Sequence, residues 1–189
     1  MKVVAFAGLS GAGKTTLLER LIPALKQSGL RVSVLKHAHH TFDVDQPGKD
    51  SYRHRQAGAE EVMLASDLRF ALMHEHNTPT ALTPQDLIAK MSQDVDWLLV
   101  EGFKDSPLPK IEIWRAPTAD WSGRPLRFPH DPWVVAVAAD SALPEPVPAS
   151  IAVLDLNDAP GLAKWLLGHA KQFEYPAILA APARTQPLK

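Results

Sequence analysis

The sequence predicts an α/β domain with a doubly wound, mostly parallel sheet, helices on both faces and a β-hairpin extension. Short apolar runs alternate along the chain with segments whose apolar residues recur at helical spacing. The first 36 residues hold a strand, a helix and a second strand, a βαβ unit that requires parallel pairing. The formal net charge of −1 excludes a globally basic nucleic-acid binder, and the lack of cysteine excludes disulfide scaffolds and thiolate zinc sites.

The βαβ unit has the clearest pattern. Residues 3–7 form an apolar run that ends at glycine, which is typical of a buried parallel strand. Leucine and isoleucine residues mark one face of a helix over Lys14–Gln27, which Gly29 ends, and Pro23 inside it predicts a kink. Residues 31–36 are predicted as the second strand.

The rest of the chain continues this alternation. Ser51 is a candidate cap of a short helix that ends at Gly58, and Thr83 with the following proline predicts the start of another. Two β-like runs around a Ser66-Asp67 turn predict a hairpin over about residues 60–75. The other predicted elements are strands at 96–101, 111–114, 133–138 and 151–154 and a helix from Asn157 or Asp158 to about residue 170.

One domain is predicted over residues 1–170. Prolines at 176, 182 and 187 predict that residues 171–189 form a disordered, Pro-rich tail. No apolar run approaches the ~20 residues that a membrane span requires, and the first residues lack the apolar stretch of a signal peptide. A cytoplasmic protein is therefore expected.

Residues 8–15 match the Walker A pattern G-x-x-x-x-G-K-[ST] without exception, between a predicted strand and a predicted helix. The glycines let the backbone approach phosphates closely, and successive N–H groups at a helix N-terminus bind the anion. Lys14 would place a full charge on the β- and γ-phosphates, Thr15 would ligate Mg²⁺, and Thr16 would reach the α-phosphate. The predicted nucleotide-binding residues of the loop are Ser10, Gly11, Ala12, Gly13, Lys14, Thr15 and Thr16.

A phosphate loop needs an acidic partner at the end of a neighbouring strand, and Glu101 is the candidate. It follows a four-residue apolar run, and ligands of such sheets bind at the carboxyl ends of strands, which favours Glu101 over Asp96 at the other end. Glutamate where aspartate is usual indicates metal contact through water. Lys14 and Glu101 are the candidate catalytic residues; a plain surface acid is the alternative interpretation of Glu101.

The loop that follows the second predicted strand is dense in polar groups and leaves the sheet at the same edge. Asp43 or Asp45 is a candidate Mg²⁺ ligand there, and Lys36 is a candidate phosphate contact. Three histidines allow a transition-metal site, although polar or phosphate contacts are favoured for them. They are His37, His39 and His40.

Base recognition is less well marked, because the Asn-Lys-x-Asp tetrapeptide of GTP-binding switch proteins is absent from the sequence. Asp140, after the strand predicted at 133–138, is the nearest equivalent, since its carboxylate suits guanine N1–H and the 2-amino group. A loop residue or helix cap is an equal interpretation of Asp140. These residues favour GTP over ATP only slightly.

Together these motifs resemble the MobB family of accessory proteins in molybdopterin guanine dinucleotide biosynthesis. The matching stretches are residues 7–16, 35–59 (LKHAHHTFDVDQPGKDSYRHRQAGA), 98–104 (LLVEGFK) and 135–140. The resemblance implies a homodimeric P-loop protein that binds GTP and Mg²⁺, hydrolyses GTP slowly and associates with the guanylyltransferase that joins GMP to molybdopterin. By matching position it assigns nucleotide or metal contacts to Lys14, Thr15, Asp43 and Glu101, and a guanine contact to Asp140.

The main functional hypothesis is thus an accessory GTPase. No general base or glutamine stands beside the loop in the sequence, so turnover is expected far below the ~10 s⁻¹ typical of enzymes. Two alternatives stay open: a P-loop small-molecule kinase and a metallochaperone-type GTPase that uses the histidine cluster.

Overall fold

The structure, a computed structural model, describes residues 1–38, 42–118 and 125–176. The chain divides into two units, one of residues 1–37 with the chain from residue 83 onward, the other of residues 38–82. The described strands are β1 Lys2–Ala7, β2 Val32–Lys36, β3 Glu61–Ser66, β4 Arg69–His74, β5 Trp97–Glu101, β6 Lys110–Trp114, β7 Val134–Ala139 and β8 Ala152–Asp155. The described helices are α1 Lys14–Gln27, α2 Asp50–Gln56, α3 Pro84–Lys90, α4 Ala159–Gly168 and the 3-10 helix Ala170–Phe173.

A parallel sheet is the centre of the first unit. Its described strands have the order β2-β5-β1-β6-β7-β8, and each neighbouring pair is parallel. β1 therefore lies inside the sheet, between β5 and β6, and its carboxyl end leads into the Walker A residues. The predicted parallel α/β sheet is confirmed.

Both faces of the sheet are covered, as the alternation of side chains along β1 shows. Val4 and Phe6 belong to the core that contains α1 and α4, whereas Val3 and Ala5 belong to a second core that contains Ile88 of α3. All four β1 residues are 1% exposed or less, as a central parallel strand requires. The prediction of helices on both faces is confirmed.

Of the two predicted helix caps, the structure confirms one and contradicts the other. Thr83 caps α3 as predicted: its hydroxyl accepts from the Asp86 N–H at 3.2 Å, and the Asp86 carboxylate accepts from the Thr83 N–H at 2.9 Å. Ser51 does not cap α2, because Lys49 holds the N-cap position and Ser51 lies within the helix, its hydroxyl donating to Asp45 at 2.8 Å. α1 continues through Pro23 to its end.

The predicted disorder of the tail is wrong for residues 171–176. Phe173 is 1% exposed and packs against Trp97 and Trp165, with ring centroids 5.6 and 6.0 Å away. Glu174 bridges to Lys2 in antiparallel fashion. A single buried aromatic thus anchors this segment against the start of the sheet, a long-range contact that prolines in the sequence do not reveal. Residues 177–189 lie outside the described part of the chain.

The second unit holds α2 and the predicted hairpin. β3 and β4 pair antiparallel from Glu61↔His74 to Ser66↔Arg69, so that Asp67 and Leu68 form the turn one residue later than expected. The hairpin is strongly apolar for a two-stranded sheet. The exposed apolar residues of its strands and turn are Met63, Leu64, Leu68, Phe70 and Leu72. Among the described residues no helix is long and apolar enough to cross a membrane, and the cytoplasmic location stays a prediction.

Candidate functional site

The loop between β1 and α1 has the backbone that its glycines require. Gly11 and Gly13 have φ angles of 82° and 94°, in the left-handed region that favours glycine. A Cβ on Gly8 would lie 2.7 Å from the carbonyl oxygen of Ile113, so the neighbouring strand β6 leaves no room for a side chain. The backbone conformation of the loop thus requires Gly11 and Gly13, and the close approach of β6 requires Gly8.

The N-terminus of α1 is open toward this loop. Gly13 holds the N-cap position, and within the described chain no side chain caps the helix and no acidic residue lies in its first turn. The first N–H groups of a helix lack partners inside it, and the helix dipole gives them partial positive charge. The sequence predicts that the Ala12 N–H contacts phosphate. In the structure this N–H instead donates to the Leu9 carbonyl at 3.2 Å within the loop itself.

Lys14 lies over the start of the loop. Its ammonium donates to the carbonyl oxygens of Gly8 at 2.8 Å and Leu9 at 2.6 Å. Burial lowers the pKa of this ammonium, and the positive charge of Lys36 lowers it further, while the negative charge of Glu101 acts in the opposite direction. The loop therefore holds a partly desolvated cation where phosphates are expected.

Glu101 meets Thr15 and Lys36 at the end of β5. The Thr15 hydroxyl donates to Glu101 Oε1 at 2.7 Å, and the Lys36 ammonium lies 3.4 Å from the same oxygen. Register explains this meeting, since Glu101 pairs with Phe6 at the end of β1 and with Lys36 at the end of β2. The Glu101 side chain is only 10% exposed, so this carboxylate is held in place rather than solvated.

The Thr15 and Glu101 oxygens suit magnesium. Mg²⁺ in nucleotide sites takes one or two protein oxygens and completes its octahedron with phosphates and waters. The hydroxyl and the carboxylate already lie within hydrogen-bond distance of each other at the open helix N-terminus. Both the Thr15 hydroxyl and the Lys36 ammonium contact Oε1, and contact of Glu101 with a metal through water stays a prediction.

Asp43, the third predicted metal ligand, is described in the second unit, where it belongs to an ion-pair cluster. The Arg55 guanidinium contacts Asp43 at 2.9 Å, Asp45 at 3.2 Å and Glu75 at 2.6 Å. A hydrogen bond from the Asp45 N–H and the contact with Arg55 lower the pKa of Asp43. The carboxylate of Asp43 therefore has a partner, Arg55, that the sequence does not predict.

Asp140 lies at the end of β7 as predicted, and its carboxylate has partners. Oδ1 accepts from the Ala116 N–H at 3.0 Å, and Oδ2 lies 3.6 Å from the Arg115 guanidinium. A cavity of about 270 Å³ adjoins the start of α1, with Gly13 and Thr16 in its wall. The wall also contains the loop residues Arg115, after β6, and Asn157, after β8, together with Leu17, Arg20 and Leu156.

Neither Arg115 nor Asn157 was predicted as a residue of the nucleotide site. Asn157 was interpreted only as a possible helix start, although it follows the last strand of the sheet at its carboxyl end, the same signal that identified Asp140. Arg115 follows β6 in the same way, and its Nη2 lies 3.0 Å from the position of a Cβ on Gly13. Position after a strand was therefore a usable signal for both.

His37 packs against the segment that follows Glu101. Its ring stacks on Phe103 with centroids 4.2 Å apart and an angle of 19°. Glycine is required at position 102 for two reasons: a Cβ there would lie 3.0 Å from His37 Cβ, and the residue has a φ of 98°. His39 and His40 lie outside the described residues. Among those described, no three His, Cys, Asp or Glu side chains form a metal-binding group.

Known proteins resemble this chain in sequence and fold. It is 45% identical to the molybdopterin-guanine dinucleotide biosynthesis adapter protein of Escherichia coli K12 over 167 residues, 87% of this chain and 91% of that one. The Haemophilus influenzae protein of the same name is 41% identical over 87% of this chain and 86% of its own. A crystal structure of a MobB homolog from Bacillus stearothermophilus superposes with a TM-score of 0.66 at 25% identity, covering 90% of this chain and 99% of that chain.

The match to the family itself covers most of the sheet. The profile of molybdopterin guanine dinucleotide synthesis protein B (MobB) matches residues 3–140, from the first strand to the predicted guanine contact. Bacillus subtilis MobB shares the fold with a TM-score of 0.65 at 23% identity, over 92% of this chain and 99% of that chain. With its glycine-rich loop, its buried Glu101 and these relatives, the chain belongs to the MobB family.

Proposed function

We propose that this protein binds GTP with Mg²⁺ at the phosphate loop and serves as an accessory protein in molybdopterin guanine dinucleotide biosynthesis. The observation that carries the nucleotide site is the meeting of Thr15 and Glu101 at the uncapped N-terminus of α1. The biosynthetic role is supported by the adapter proteins to which the chain is 45% and 41% identical.

The side chains of the site have distinct tasks in this proposal. An ammonium group has three donors, and Lys14 uses two on the Gly8 and Leu9 carbonyls, which leaves the third for a phosphate oxygen. The open N–H groups of α1 bind the other phosphate oxygens. Bound Mg²⁺ would neutralise charge on the β- and γ-phosphates, and Thr15 and Glu101 would hold it or its water.

Slow hydrolysis follows from the state of Glu101. It is the carboxylate that, among the described residues, hydrogen-bonds to the loop, and its Oε1 already accepts from Thr15 and lies beside Lys36. In the proposal this carboxylate also holds Mg²⁺ or its water, so it is not available to take a proton from attacking water. Turnover by the isolated protein should stay well below ~10 s⁻¹.

Calorimetric titration tests the nucleotide site. GTP and ATP are titrated with and without Mg²⁺ into the wild type, Lys14→Ala and the control Lys26→Ala, which removes an exposed lysine from the last turn of the same helix. The proposal expects Mg²⁺-dependent GTP binding that Lys14→Ala abolishes and Lys26→Ala retains. Equal affinity in the wild type and Lys14→Ala would refute the site.

We also propose that the protein is a homodimer that uses the hairpin. A two-stranded sheet is marginal in water on its own, and the β3–β4 hairpin exposes several large apolar side chains. Phe70 and Leu72 are two residues apart in β4 and so lie on the same face, and they are 72% and 49% exposed. Such a surface is self-complementary for a second copy because apolar faces can stack across a two-fold axis.

Light scattering after gel filtration tests the dimer. A Phe70→Ser, Leu72→Ser double variant should elute as a monomer, whereas the control Arg69→Ser, in the same strand, should remain a dimer. A monomeric wild type at micromolar concentration would overturn the dimer proposal without touching the nucleotide site.

The partner enzyme is the last part of the proposal. Mixed with a purified molybdopterin guanylyltransferase and GTP–Mg²⁺, the wild type should co-elute with it in gel filtration. Separate elution at tens of micromolar of each protein would contradict the accessory role.

A further inference from the structure

Arg115 lies beside the phosphate loop with most of its hydrogen-bonding capacity unused. It follows β6, the neighbour of β1, and its Nη2 lies 3.0 Å from the position of a Cβ on Gly13, the N-cap of α1. The two Nη groups of an arginine carry four N–H donors. Nη1 lies 3.6 Å from Asp140 Oδ2, too far for a hydrogen bond, and Nη2 makes none within the described chain. The side chain is 40% exposed, so a ligand can reach it.

Asp140 holds the segment that carries Arg115. Its Oδ1 accepts from the Ala116 N–H at 3.0 Å, and its Oδ2 is the ion-pair partner of the guanidinium. Register brings these groups together, since Trp114 at the end of β6 pairs with Ala139 at the end of β7. The protein therefore orients the guanidinium at this edge of the sheet before any ligand binds.

The surroundings of Arg115 are positively charged. It lines the cavity of about 270 Å³ beside α1 together with a second arginine, Arg20, which has no ion-pair partner among the described residues. Thr16 and Asn157 supply uncharged polar groups, and none of the described lining residues is acidic. The uncapped N-terminus of α1 adds partial positive charge. Cations at the positive end of a helix are stabilised by an anion between them, so this cavity favours an anionic group.

A second cavity, of about 310 Å³, lacks this excess of positive charge. Trp114 is in its wall, and so are two acidic residues, Glu112 and Asp131, besides the basic residues Lys104 and Arg127. Opposite charges offset each other there. A phosphate group is thus favoured in the cavity of Arg115 and not in that of Trp114.

The phosphate that Arg115 can reach is a different one from those beside the metal. Thr15 and Glu101, the proposed holders of Mg²⁺, meet at the end of β5 on one side of β1, whereas Arg115 follows β6 on the other side. The Lys14 ammonium contacts carbonyls at the start of the loop. In the proposed function the metal and Lys14 serve the β- and γ-phosphates. The α-phosphate is therefore the group left for the side of the loop on which Arg115 and Thr16 lie.

We infer that Arg115 binds the α-phosphate of the nucleotide, an inference that rests on the proposed function. A guanidinium can donate two parallel hydrogen bonds to one phosphate group, which suits a phosphate that no metal ion neutralises. GMP, GDP and GTP all carry the α-phosphate. Arg115 thus contributes equally to the binding of all three, unlike a contact to the γ-phosphate, which only the triphosphate can make.

Nucleotides of increasing phosphate number test the inference. GMP, GDP and GTP displace a fluorescent GTP analogue from the wild type, Arg115→Gln and Arg31→Gln in the presence of Mg²⁺. Arg115→Gln should weaken the binding of all three by the same factor, about ten- to a hundredfold, the range of a hydrogen bond to a charged group. Guanosine, which has no phosphate, should bind the wild type and Arg115→Gln equally.

Two more variants make the test decisive. Arg31→Gln is the matched control, because it removes the same charge before the start of β2, where Arg31 pairs with Asp94 at 2.6 Å, and it should leave all the affinities unchanged. Arg115→Lys carries the test if Arg115→Gln does not fold. It keeps the charge but has a single amino group, so it should weaken the three nucleotides equally, by about two- to tenfold. Affinities of Arg115→Lys equal to those of the wild type would overturn the inference.

The outcomes separate this inference from the proposed function. A loss confined to GTP would assign Arg115 to the γ-phosphate, and a loss that grows from GMP to GTP would make it a distant charge; either overturns the inference. An equal loss for guanosine also overturns it, because the phosphate would then not be the group that Arg115 contacts. Normal GTP binding by the wild type, with GMP affinity unchanged in Arg115→Gln, refutes the α-phosphate contact alone. A wild type that binds none of the nucleotides refutes the proposed function as well.

Discussion

Changing Glu101 to glutamine tests the contribution of Mg²⁺ to GTP binding separately from the contribution of the phosphate loop. The substitution keeps the size of a side chain that is 10% exposed, and the amide oxygen can still accept from the Thr15 hydroxyl, now 2.7 Å from Oε1. What it removes is the negative charge beside Lys36 and at the proposed Mg²⁺ position.

The expected effects on affinity have opposite signs. A hydrogen bond to a charged group contributes about 1.5–3 kcal/mol, so loss of the carboxylate's contact with the metal or its water should weaken Mg²⁺–GTP binding about ten- to a hundredfold. Without metal the same carboxylate repels the polyphosphate. Binding of metal-free GTP to Glu101→Gln should therefore be unchanged or a few-fold tighter.

Calorimetric titration of GTP in Mg²⁺ and in EDTA measures both effects. Asp96→Asn is the matched control, because it removes the same charge just before the start of β5, where Asp96 accepts from the Arg31 N–H at 2.7 Å. That variant should bind Mg²⁺–GTP like the wild type. If Glu101→Gln kept the full magnesium dependence, the assignment of Glu101 to the metal would be wrong.

Three further predictions concern single positions. Gly102→Ala should lower the free energy of unfolding by about 1–3 kcal/mol in chemical denaturation, because the residue has a φ of 98° and its Cβ would meet His37; a neutral effect would contradict the close packing of these loops. Asn157→Ala should weaken GTP binding about two- to tenfold, the range of one hydrogen bond, and unchanged affinity in calorimetry would remove Asn157 from the nucleotide site. The hydrogen bond from the Asp45 N–H and the contact with Arg55 lower the pKa of Asp43 from 3.8 in the folded state, so these contacts stabilise the fold above about pH 4, and that stabilisation is lost as the pH falls through the lowered value. Asp43→Asn should thus be less stable than the wild type at pH 7 and equal to it in strong acid, and a difference that grows on acidification would refute the argument.

The parallel sheet and the phosphate loop could be predicted because their signals are local. An apolar run that ends at a glycine-rich turn, followed by a helical period, needs no information from elsewhere in the chain. The capping box at Thr83 is local in the same sense, and the structure confirms it. Several strand boundaries shifted by one residue: β2 begins at Val32 rather than Arg31, and β7 begins at Val134 rather than Trp133.

Long-range partners were beyond such reasoning. Lys110 is fully buried in β6, where its ammonium donates to Asp131 at 2.9 Å and to two carbonyls, yet a lysine in a sequence predicts exposure. The contact of Asp43 with Arg55 likewise depends on how the second unit folds. Lysines, aspartates and arginines have too many possible partners for spacing alone to select one.

Trp114 and Arg115 are consecutive residues at the end of β6, and each lines a different cavity. The short backbone segment from Trp114 to Arg115 therefore belongs to the walls of both cavities. A ligand that moves this segment in one cavity changes the space in the other. Thermodynamic linkage then makes the influence mutual: whatever factor the first occupant imposes on the second, the second returns to the first.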